Sequence, residues 1–227
     1  MKLFSLAFVA ALAAVAATAG VAGATNECRG IQQCIRVPGP WVVVQPHGIA
    51  EYLLACPKGQ SVVGGLDAQA TSRTVHVSFD GRLGAPVQPG QTTTRYAFFR
   101  AFSTSGRTQA FQPLLGCIPT QGGGGRSTVS ARVTPVGTPL EFRARIVVVG
   151  PGDVRFARVG CVRTETLVGS WHAIAFRTKQ PPSLEHVGLV HAGHHVVGRH
   201  VVVTASSTDA LSPDAHAIVQ GGAECAP

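Results

Sequence analysis

Apolar and polar residues alternate in short runs along most of the chain. Val75, Val77 and Phe79 alternate with Thr74, His76 and Ser78, the period-two pattern of a half-buried β-strand. Asp80-Gly81 follows at once, a pair suited to a tight hairpin turn, and Gly84 and Pro86 interrupt the return. Tyr96 to Phe102 predicts another strand, with aromatic residues on both faces. Phe142, Ala144, Ile146 and Val148 share one face of a further strand, and Arg143 and Arg145 take the other. The arginine face is expected to be the wet one. Val154 to Val159, Trp171 to Phe176 and His200 to Ala205 read as strands too. No stretch keeps a helical apolar period for three turns, and Gly and Pro punctuate often. The chain therefore reads as all-β.

The pattern also repeats. Val42-Val43-Val44-Gln45-Pro46, Cys56 and Val63-Gly64 return 105 residues later as Val147-Val148-Val149-Gly150-Pro151, Cys161 and Val168-Gly169. Arg95 to Ala101 returns as Arg199 to Ala205 at an offset of 104. Each copy closes on a cysteine two residues before a proline, Cys117 and Cys225. The expected fold is two tandem disulfide-stapled β-sandwich units, with an immunoglobulin-like strand order as one way to build each. Trp41 and Trp171 occupy non-equivalent places, so neither serves as the buried tryptophan of an immunoglobulin domain. The alternative is one larger sandwich or barrel in which the copies exchange strands. The expected boundaries are 25–121 for the first unit, 122–140 for a linker and lead-in containing Gly122 to Gly125, and 141–227 for the second. The recurring Gly64-Gly65 and Gly169-Ser170 read as a repeated turn or bulge.

Residues 1–24 predict a secretory signal. Lys2 starts it, Leu3 to Ala17 carry no charge, and Ala22-Gly23-Ala24 supplies small residues for cleavage. Cleavage is expected after Ala24, with Ala19 as a second place, and the product is expected to be secreted or periplasmic with no transmembrane segment in the mature chain. All six cysteines follow the signal, and an exported chain with an even count reads as a disulfide framework. The repeat suggests Cys56 with Cys117 and Cys161 with Cys225, which leaves Cys28 with Cys34. Each long staple is expected to add about 3–4 kcal/mol. Asn26 is the one asparagine and lacks a Ser or Thr two residues on, so the usual N-glycosylation sequon is missing.

Net charge adds a weaker hint. The chain carries a formal +8, spread singly over arginines such as Arg73, Arg82, Arg107, Arg155 and Arg158. Diffuse positive charge suits an anionic glycan, a cell envelope or an acidic protein ligand. It lacks the dense basic patch with stacking aromatics that nucleic acid requires. The Pro181-Pro182 loop is a rigid connection or an extended segment offered to a partner.

Histidines are the one chemical concentration. Seven of nine lie between His172 and His216. His191, His194, His195 and His200, with His186 as a further donor, form a candidate site for zinc, copper or nickel, with Gly193 expected to turn the chain so that the imidazoles converge. Ser170 and His172 share a strand face, which is equally true of many inert strands. No Gly-x-Ser-x-Gly elbow, carboxylate pair, phosphate loop or cofactor fingerprint occurs. The expectation is a non-enzymatic binding or structural protein of the cell exterior; the alternative is a metal-binding protein or metal-dependent enzyme using the His186–His200 cluster.

Overall fold

The structure is a computed structural model that describes residues 35–57, 61–81, 95–119 and 140–227. The signal segment, Cys28 and Cys34, the return after Gly81 and the Gly122 to Gly125 run lie outside the described residues. The described chain is strand-rich. Its strands are β1 (Ile35–Pro38), β2 (Trp41–Val44), β3 (Ile49–Ala55), β4 (Ser61–Ala70), β5 (Val75–Gly81), β6 (Tyr96–Ser103) and β7 (Gln109–Pro119). They continue as β8 (Glu141–Val149), β9 (Val154–Gly160), β10 (Thr166–Phe176), β11 (Val190–Val197), β12 (His200–Ser207) and β13 (Ala217–Ala226). One short helix, α1 (Leu184–Gly188), follows Pro181-Pro182, with the Ser183 hydroxyl accepting from His186 N–H at its start.

β7 is the hub of the first half. It carries β4 on one edge and, on the other, β1 and β2, one strand broken at Gly39-Pro40. β2 then pairs with β10 through Val42 to Ala175 and Trp41 to Phe176. β10 pairs with β13, and β13 with β8. A single seven-stranded antiparallel sheet thus runs through both halves, from β4 at one edge to β8 at the other. Two three-stranded sheets, β3-β6-β5 and β11-β12-β9, complete the topology.

Both halves follow one strand plan. With β1 and β2 counted as one, the first, sixth and third strands of each half lie in the large sheet, and the second, fifth and fourth form the small one. Side-chain alternation fixes where the small sheets sit. Val42 and Val44 point into a core with Tyr52, Phe99 and Phe111, while Val43 between them points into the other core with Phe176, Val201 and Val219. The small sheets therefore cover opposite faces of the large one. Cys56–Cys117 and Cys161–Cys225 tie the end of each half's second strand to its sixth, across the layers. Both expected bulges are present, between Val63 and Gly65 and between Leu167 and Gly169.

The halves are also joined face to face. Gln220 is fully buried; its Oε1 accepts from Leu53 N–H at 2.7 Å and its Nε2 donates to Leu53 C=O at 3.0 Å. Phe98 stacks on Phe142 at 4.4 Å and meets the Trp171 edge at 4.8 Å. Trp171 lies so close to the backbone of β13 that a Cβ at Gly222 would fall 1.9 Å from its ring; only glycine leaves room there.

Two expectations change. Asp80 and Gly81 continue β5, paired with Phe98 and Ala97, and make no tight turn. The arginine side of β8 is wet only in part, at the exposed Arg145. Val147 and Val149 on that side pack toward the core, and Arg143 is bound to Glu165. On the opposite side the apolar Ile146 and Val148 are exposed as well.

Candidate functional site

The histidine-rich segment forms the β11–β12 hairpin. Its turn is at Gly198, whose φ of 59° needs glycine. Gly193 lies inside β11 instead, paired with Thr204, so the expected turn at Gly193 is absent and the strand simply alternates. Val190 and Ala192 point into the second core, which directs His194 inward and His191 and His195 outward. His200, on β12, points outward too, its Nδ1 2.9 Å from an Arg158 Nη. His186 sits on α1. His194 therefore parts from His191, His195 and His200.

His194 meets a different set of partners. Its Nε2 is 3.1 Å from the Ser170 Oγ, and its Nδ1 is 2.6 Å from the His172 Nδ1. Ser170 and His172 reach it together because they follow the β10 bulge two residues apart on one face. Burial lowers the pKa of His172, helped by His194, while the Ala192 carbonyl opposes the shift. Burial also lowers that of His194; the Glu51 carboxylate opposes this and His195 adds to it. Both rings are neutral at pH 7. The 2.6 Å contact then requires one Nδ1 to carry a proton and the other to accept it.

The first half provides an internal control. Leu66 and Ala68 pair with Leu115 and Pro113, two and four residues before Cys117. Ser170 and His172 pair with Ala223 and Gly221, two and four residues before Cys225. Likewise Phe79 pairs with Phe99 as His194 pairs with Val203. Where the first half places Leu66, Ala68 and Phe79, the second places a hydroxyl and two imidazoles. The same strand plan forms with apolar residues there, so the polar trio is not a demand of the fold. The shared face of Ser170 and His172 was visible in the sequence; the approach of His194 from another strand was not.

A second group gathers beside the disulfide. Among the described residues, one set of at least three His, Cys, Asp or Glu side chains brings its ligand atoms within 4.8 Å of one another: Cys161, Glu165 and Cys225. The two sulfurs are bonded to each other, so neither offers the thiolate that a metal ion takes. Glu165 accepts from both terminal nitrogens of Arg143 and from Val162 N–H, and these contacts hold its carboxyl below the usual range.

Comparison of the chain with protein-family models, with curated proteins and with solved structures finds no match. Among the described residues no helix is long and apolar enough to cross a membrane.

The histidine pair has a pH consequence. In the unfolded chain both rings take a proton near pH 6.5; in the folded chain they resist it to lower pH. The unfolded state then binds more protons, so the pair's contribution is intact above about pH 6.5 and declines as pH falls below it. Replacing the trio with its first-half counterparts, Ser170→Leu, His172→Ala and His194→Phe, is expected to leave a folded protein with a shallower loss of stability toward acid. Urea midpoints measured at about pH 7.5 and about pH 5.5 check this. Equal acid losses in variant and wild type would contradict it.

Proposed function

We propose that the protein acts outside the cytoplasm, secreted or periplasmic, as a non-enzymatic binding protein, and that its ligand is a first-row transition-metal ion taken by His172 and His194. The observation that carries this reading is the 2.6 Å approach of two neutral Nδ1 atoms. Such a pair shares one proton, and a zinc or copper ion can replace it. The ring that donated moves its proton from Nδ1 to its own Nε2, so that both rings stay neutral, carry Nε2–H and turn an Nδ1 lone pair to the metal. Ser170 can serve both states, because a hydroxyl donates to His194 Nε2 without metal and accepts from it with metal. Two nitrogens on tetrahedral zinc lie about 3.3 Å apart, so the rings have only to open slightly. With two protein nitrogens the remaining positions stay open to water.

The scaffold of this reading is two tandem sandwich units, 25–121 and 141–227, separated by the 122–140 segment. A disulfide between the second and sixth strands supports an immunoglobulin-like relation, although the first strand pairs directly with the sixth. Arg158 and His200, together on an exposed outer face, favour an anionic glycan or cell-envelope surface as a second reading.

Mature protein purified without chelator or added metal is expected to retain zinc or copper on elemental analysis, and equilibrium dialysis to show one strong site. His172→Ala and His194→Ala are each expected to lower affinity at least tenfold, about 1.4 kcal/mol; His191→Ala and His200→Ala are expected to change it much less. No bound metal, or equal losses across all four variants, would overturn the assignment.

A further inference from the structure

The two halves meet through β2, the first strand of its half, and β10, the third strand of the other. The strands that correspond to these are β8 and β4, and they are the two outer edges of the large sheet. Among the described residues neither outer edge carries a partner strand. Strand direction alternates all along this sheet. The second half is therefore related to the first by a half-turn about the long direction of the sheet combined with a shift along it. That relation puts the small sheets on opposite faces, and it does not close on itself. Repeated once more, it places a third half beside β8.

Side chains on β8 fit such a neighbour. Trp41 and Val43 on β2 are only 6% and 5% exposed, covered by the second half. Their counterparts, Ile146 and Val148, are as apolar and are 40% and 62% exposed. β8 thus carries apolar residues on both faces, as a strand with neighbours on both faces does; Phe142 meets Phe98 of the first half, and beyond it, along Ile146 and Val148, one neighbour is missing. The clamp between the halves is duplicated too. Gln112 stands five residues before Cys117 as Gln220 stands five before Cys225. Gln112 Nε2 donates to Gly39 C=O, which leaves its Oε1 for an incoming N–H. The counterpart of Leu53, whose backbone Gln220 grips, is the exposed Arg158. On β4 the exposed Asp67 and Gln69 stand where β10 has Trp171 and Ala173, so the new contact is more polar than the internal one and reversible.

We propose that the protein assembles head to tail, the β8 edge of one copy adding to the β4 edge of the next as β2 adds to β10 within the chain. Sedimentation equilibrium of the mature protein over a dilution series tests this. The average mass is expected to climb with concentration past that of a dimer. Val148→Lys is expected to stay monomeric with an unchanged far-ultraviolet dichroism spectrum, and Val196→Lys, at another exposed apolar position, to assemble normally. Val148→Lys still offers β4, so in excess it caps growing ends and lowers the mass of wild-type assemblies. A monomer at every concentration, arrest at a two-fold dimer, or failure of the variant to cap would each overturn the proposal.

Discussion

Removing the second disulfide, by Cys161→Ala with Cys225→Ala, is expected to cost about 4 kcal/mol of stability. The bond closes a loop of 64 residues, and opening it returns that freedom to the unfolded chain. Domains of this size are stable by only about 5–15 kcal/mol, so the variant stands near its unfolding threshold at 37 °C. Cys56→Ala with Cys117→Ala, which opens a loop of 61, is expected to behave alike. Urea denaturation of the oxidised wild type against each double variant measures the loss. A cost below about 1 kcal/mol would mean that the unfolded chain retains enough structure to make the staple redundant.

Substitution of Gln220 by Met is expected to cost roughly 2–5 kcal/mol, because it removes two hydrogen bonds and strands both backbone groups of Leu53. Met keeps the length of the side chain, so the loss reports the polar pairing and not a cavity. Gln220→Glu is expected to be nearly as harmful: it keeps an acceptor for Leu53 N–H but sets an oxygen against Leu53 C=O. Gln220 and Leu53 are 167 residues apart, one in each half. Their bond couples the halves, so the variant is expected to lower the unfolding of the whole chain in one transition. Two transitions, with only one displaced, would show that the halves unfold separately.

These two effects mark what the sequence made legible. The pairing of Cys56 with Cys117 and of Cys161 with Cys225 followed from the repeat, because these two staples occupy equivalent places. Strand positions followed from alternation, and β6 and β12 keep the predicted offset of 104: Ala55 pairs with Tyr96 and Gly160 with His200. The joining of the halves was not legible. A glutamine facing a distant backbone has no period, and the large sheet becomes continuous through only two residue pairs at β2 and β10. The wet face of β8 was legible only at Arg145, because alternation shows which residues share a face but not which face has a neighbour. Among the histidines, proximity in sequence misled for a similar reason. A strand separates consecutive side chains, so His195 turns away from His194, while His172, 22 residues distant from it, comes into contact.

The histidine pair carries the functional reading, and nitrogen NMR of the imidazole rings tests it most directly. In metal-free protein the Nδ1 resonances of His172 and His194 are expected to show one protonated and one bare nitrogen sharing a hydrogen bond. On zinc addition both are expected to shift to metal-bound values, with each proton on Nε2, while His191 and His200 hold their positions. Unchanged His172 and His194 resonances at saturating zinc, or shifts confined to the outward-facing histidines, would contradict the account.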